Sequence, residues 1–159
     1  MLPLLALFSI AHAGGHGRMP PPFWEDDAHT ITLSISPLYL MVPMIELTAE
    51  FRVEDTRSWT VFGGVGRWGS DPIYDVGGQV REYVLGDFDD GINLGAEVMY
   101  SNVNWTGKYD KNVAFGPFVG GKISISLFTV ELQGGGHVVI DRDSIQLAPL
   151  INFTTGISF

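Results

Sequence analysis

From Thr30 to Phe159, apolar residues alternate with polar or small ones at period two, and no other feature of this chain constrains its fold so strongly. Successive side chains of an extended strand point to opposite faces, so the alternation dictates strands with one apolar and one polar face. Eight runs carry it. Residues 30 to 40 set Ile31, Leu33, Ile35 and Tyr39 against Thr30, Thr32, Ser34 and Ser36. Residues 44 to 54 set Ile45, Leu47, Ala49, Phe51 and Val53 against Glu46, Thr48, Glu50 and Arg52. The runs at 58 to 68, 73 to 84, 92 to 101, 112 to 124, 128 to 140 and 146 to 159 repeat the arrangement. The connections at 41 to 43, 55 to 57, 69 to 72, 86 to 91, 103 to 111, 125 to 127 and 141 to 145 are mostly short, as in an antiparallel meander. Glu82 falls on the apolar face of the fourth run, which predicts a bulge or a strand end there.

The contents of the two faces indicate which one is outside. Glu46, Glu50, Arg52, Arg81, Glu97, Lys122 and Glu131 share the polar face with Gly64, Gly77, Gly95, Gly116 and Gly120. Ion pairs interleaved with gaps suit a packed barrel interior, where charges of both signs must find one another because an isolated buried charge is costly. The opposite face carries more large apolar side chains than the inside of eight strands can hold, and they fit better against lipid. Tyr39, Trp59, Trp68, Tyr74, Tyr100, Trp105, Phe128 and Phe159 fall near run ends, where interfacial aromatic girdles sit. The expected fold is therefore all-β, an eight-stranded antiparallel up-and-down transmembrane β-barrel over residues 30–159, with the seven charges as an interior network. A secreted lipocalin-like binder of apolar ligands has the same strand number with the faces reversed.

Residues 2 to 10 are apolar and lead to Ala11, His12 and Ala13, a small-x-small pattern that reads as the end of an export signal peptide at 1 to 13. A Gly/Pro tract and Glu25, Asp26 and Asp27 follow, giving a flexible tail at 14 to 29. No stretch reaches the roughly 18 consecutive apolar residues of a membrane helix.

Composition excludes several chemistries. Nine Lys+Arg against 18 Asp+Glu, a net charge of -9, argue against nucleic-acid partners, which need a basic surface. The absence of Cys removes disulfides, thiolate catalysis and Cys-based zinc sites. His12, His16, His29 and His137 lack metal-ligand spacing, so neither a metal nor a cofactor is expected. Gly64, Gly66 and Gly69 match a Gly-x-Gly-x-x-Gly string, but Asp71 and Pro72 follow where a phosphate-binding helix would have to begin. His137 with Ser144 and Asp141 or Asp143 is the one nucleophile, base and orienter set in reach of a single loop end, and it would suit an enzyme that modifies lipid A.

The final alternation, Ile151, Phe153, Thr155, Ile157 and Phe159, resembles the C-terminal signal read by the barrel-assembly machinery. Together with the eight runs it makes residues 30 to 159 similar to small bacterial outer-membrane β-barrel proteins of the broad OmpA/OmpX-like class. Residues 83 to 100 with Gly116, Pro117, Phe118, Val119 and Gly120 also resemble an envelope-barrel family that brings no catalytic residue with it. The resemblance implies the bacterial outer membrane as location and outer-membrane lipid and the assembly machinery as partners. It also implies a monomeric, non-enzymatic protein with an envelope-structural or interaction role. With both termini in the periplasm, the connections at 41 to 43, 69 to 72, 103 to 111 and 141 to 145 face outside. Trp105, Lys108, Tyr109 and Lys111 on the longest of them are then the candidate contacts for a partner or lipopolysaccharide. A lipid A-modifying enzyme and a narrow small-solute channel are the competing expectations.

Overall fold

The chain carries β-branched and aromatic residues on one side of each run and turn formers between runs, and each such run is a strand. In a computed structural model, which describes residues 29–41, 43–103 and 109–159, the strands are β1 (Ile31–Ile35), β2 (Met44–Glu54), β3 (Arg57–Trp68), β4 (Asp71–Gly86), β5 (Gly91–Val103), β6 (Tyr109–Ile125), β7 (Phe128–Ile140) and β8 (Ile145–Ser158). Each pairs antiparallel with its successor, and β1 pairs with β8 to close the barrel. The expected export signal, nearly all of the expected tail, and Trp105 and Lys108 lie outside the described residues. The start of β1, the end of β8 and the turns β2–β3, β4–β5 and β6–β7 share one end, called lower here. The remaining connections form the upper end.

The first run departs from expectation. Strand β1 stops at Ile35, and Pro37–Met41 form a 3-10 helix. Pro37 supplies no N–H to a ladder and restricts Ser36 before it, so the extended chain breaks there. Tyr39 consequently leaves the outward apolar face on which a continuous strand would have placed it. Above Ile35, Ser36 bridges the neighbouring strands: its N–H donates to Glu46 O at 3.4 Å and its hydroxyl to Asn152 Oδ1 at 2.7 Å.

Two further irregularities have local causes. Glu82 stays on the outward face at the lower rim, where Arg57 Nε donates to it at 2.5 Å, and the register shift comes just after it, between Tyr83 and Leu85. In β6 the ladder to β7 passes from Phe115↔Val138 to Phe118↔Gly135, and the interruption coincides with Pro117, which has no N–H to offer.

The distribution of side chains is inverted relative to a water-soluble protein. Among the described residues, 21 buried ones are polar or charged and 9 are apolar, whereas the outward face exposes residues such as Leu147, Ile125 and Val65. The few buried rings fill the cross-section. Phe62 lies over Gly77 and Phe118 over Gly95, each its partner in the adjacent strand, and a Cβ on either glycine would overlap the ring.

Candidate functional site: the barrel interior

Inward positions of β2, β4, β6 and β7 meet across the lower half of the lumen in a continuous ion-pair network. Arg81 Nη1 lies 3.1 Å from Glu50 Oε1 and 2.9 Å from Glu131 Oε2, and Lys122 Nζ lies 2.9 Å from Glu50 Oε2. The remaining valences are met by neutral groups. Ser58 and Tyr83 hydroxyls donate to Glu50 at 2.5 and 2.8 Å, Gln133 Nε2 donates to Glu131 at 2.9 Å, and Lys122 donates to Thr32 Oγ1 at 3.0 Å. Two cations facing two carboxylates leave this layer electrically balanced. These bonds matter because, in a low-dielectric interior, each unmade bond costs more than it would in water.

Beneath the network the β4–β5 connection folds into the lower mouth. Gly86 takes φ 81°, a conformation glycine adopts without strain, and Asp87 Oδ1 then accepts the N–H groups of Asp89 and Asp90. Phe88 is driven up into the lumen and is fully buried, with Lys122 Nζ 3.8 Å from its ring centroid and Arg52 at 6.0 Å. The loop is tied on three sides: Phe88 N–H donates to Asp55 O, Ser124 N–H to Asp90 Oδ1 at 2.6 Å, and His29 Nδ1 lies 2.7 Å from Asp89.

The upper half differs. Glu46, Asp75 and Glu97 are all buried, yet among the described residues neither Arg nor Lys comes within ion-pair distance of any of them. Glu97 accepts from Gln79 Nε2 at 2.5 Å and lies 3.1 Å from His137 Nε2, an approach whose angle falls outside hydrogen-bond geometry. Tyr39, on the 3-10 helix, faces Glu46, Asp75 and Glu97, and burial together with those carboxylates pushes its phenol well above its ordinary range, so it remains neutral.

Of the seven charges that the sequence places in one network, the structure joins Glu50, Arg81, Lys122 and Glu131. Arg52 sits at the lower mouth and pairs with Asp55 at 2.7 Å, Glu97 is linked to Arg81 through Gln79, which donates to Glu97 and accepts from Arg81, and Glu46 stands apart in the upper half. Asp75, Gln79 and Gln133 share the inward parity of their runs but lie outside the seven charges, and sequence reasoning missed Tyr83 and Phe88. Their signal is weak, since Tyr83 follows the irregularity at Glu82 and Phe88 lies in a connection. His137 and Ser144 are not brought together: Ser144 Oγ donates to Asp141 Oδ2 at 2.8 Å within the β7–β8 turn, and His137 is buried beside Glu97. Lys111 is exposed at the upper end of β6. Phe159 closes the lower rim through backbone bonds to Thr30 and Ile31, and the side chains of Ile157 and Phe159 are exposed on the outward face, with Phe153 half-buried.

No family model, curated protein or solved structure matches the chain. The functional reading therefore rests on the geometry of this barrel alone.

Proposed function

We propose that this protein is an integral outer-membrane β-barrel, exported through its N-terminal segment, that acts as a non-enzymatic structural or interaction element of the bacterial envelope. The observation that carries the reading is the inverted polarity of a closed barrel: ion pairs inside, and a continuous apolar outer wall from Leu33 and Phe51 at one end to Val65 and Leu147 at the other. In water such a wall would be a very large exposed apolar patch, but against hydrocarbon it is the favourable surface. Closure also suits lipid, because every strand has two neighbours to satisfy its backbone groups. Exposed Trp59, Phe128 and Phe159 toward the lower end, and Trp68 and Tyr74 toward the upper, fit aromatic girdles.

The packed lumen favours a closed wall over a conducting pore, since Phe62, Phe118, Phe88 and the Arg81 network occupy its cross-section. It also disfavours a lipocalin-like binder, whose interior must be apolar to hold its ligand. Lys111 and its neighbours at the upper rim remain the proposed contact surface for a partner or for lipopolysaccharide. The deciding experiment is fractionation of expressing cells followed by SDS electrophoresis with and without boiling. A band in the outer-membrane fraction whose mobility changes on heating is expected. A soluble protein without a shift would overturn the reading.

A further inference from the structure

We propose that the wall carries a lateral gate: the 3-10 helix Pro37–Met41 is a movable shutter over a seam between β2 and β8 that is built not to zip. Ile31 and Phe159 exchange backbone hydrogen bonds of 2.9 Å in both directions, which points the odd-numbered residues of β1 and β8 at each other. The ladder runs from Thr32↔Ser158 to Ile35↔Thr155. Continued upward in the same register, it would set Pro37 against Phe153, Tyr39 against Ile151 and Met41 against Pro149. The missing part of the ladder thus begins and ends on a proline, each placed where its absent N–H would have had to donate across the seam. One proline interrupts a strand. Two, on opposite sides of a single seam, keep it from closing either by extension of β1 or by addition of another strand to the free edge of β8.

The shutter is held by little. The Ser36 hydroxyl shares its proton between Asn152 Oδ1 at 2.7 Å and Phe153 O at 3.2 Å, and at Phe153 it stands in for the N–H that Pro37 lacks. Ser36 O, the acceptor that a continuing β1 would offer to β2, instead takes the Tyr39 N–H at 3.2 Å and closes the helical turn. Among the described residues, no backbone hydrogen bond joins residues 37–41 to β2 or to β8. Parting neighbours at any seam from β2 to β8 would break a ladder, whereas the shutter swings about Ser36 at the loss of few bonds. Tyr39 on it turns toward Glu46, Asp75 and Glu97 in the lumen, and Leu40 and Met41 at its end are exposed. The backbone groups of Leu147 and Ile151 that face the seam are a standing cost to a static wall, and a wall that had only to be sealed would shed that cost by exchanging either proline. An outward swing draws Tyr39 from the lumen and joins the upper lumen sideways to the medium around the wall, while the Arg81 network and Phe88 keep the lower half sealed. The gate is a property of the seam, so it holds whether lipid or water bathes the wall.

The chain has no Cys, so the pair M41C/L147C supplies the only two thiols for spin labels, and both positions are exposed. Pulsed electron spin resonance on the purified, folded barrel, in detergent and in bilayers, is expected to give two distances between the labels. The second should be longer by about 5 Å, one inter-strand spacing. P37T/P149T in the same background returns both N–H donors to the seam and should lose the longer distance. Amide hydrogen exchange followed by NMR needs no substitution. The amides of Leu147 and Ile151, which face the seam, should exchange faster than those of Leu150 and Asn152, which face β7. A single distance in the labelled parent would overturn the proposal. So would two distances that persist unchanged in P37T/P149T, or equal protection of the odd and even amides of β8 in the unmodified protein.

Discussion

Arg81 carries more of the interior than any other single residue, because its guanidinium touches Glu50 and Glu131 at once and also donates to Gln79 at 2.9 Å. Removing it leaves two buried carboxylates facing each other with only Lys122 to balance them. R81A should therefore destabilise the barrel by about 3–5 kcal/mol, the usual cost of breaking a buried pair from one side. Urea unfolding of the detergent-folded protein measures this, and adding E131Q to R81M should recover most of the loss. The same scale governs the glycine beneath Phe62. G77A forces a methyl against the ring and against the Val98 carbonyl oxygen and should cost about 1–3 kcal/mol, of which F62L should relieve only the ring's share in the same assay. The inward direction of Glu50, Arg81, Lys122 and Glu131 is legible from their parity in the sequence. Their pairing is not, because Arg81 and Glu131 stand 50 positions apart and meet only across the lumen.

At the scale of elements, the β4–β5 connection and the 3-10 helix depart furthest from what alternation predicts. Both occupy stretches where period two ends. Residues 87 to 90 read as a polar turn with one stray aromatic, yet Asp87 caps the loop and sends Phe88 into the lower mouth. F88A removes a fully buried ring and should lower stability by about 3–5 kcal/mol. Planar-bilayer recordings of F88A should show whether losing the plug opens a path, and conductance equal to wild type would mean that the Arg81 network alone seals the lumen. The 3-10 helix is similar in kind. Pro37 announces that β1 is interrupted, but the turn of Tyr39 toward Glu46, Asp75 and Glu97 depends on the gap above Ile35 between β2 and β8, and that gap exists only once the barrel has closed.

For the whole molecule, the question that matters most is what bathes the outer wall, and one substitution separates the answers. Val98 lies near the middle of β5 and faces outward, so V98R places a cation at mid-height. Against lipid it should cost about 2–4 kcal/mol, whereas in water an exposed Arg would be close to neutral. Urea titration of the barrel folded in lipid vesicles reads the difference. The strand number, the antiparallel meander, the two-faced wall and the inward set of charges follow from the sequence by itself, because side-chain direction in a strand is a local property with a period of two. Tertiary structure alone decided which charges pair, that Phe88 closes one end, and that Tyr39 turns in toward Glu46, Asp75 and Glu97. Those outcomes depend on stagger and closure, which bring distant strands to the same height in a shared lumen, and no local period encodes that height.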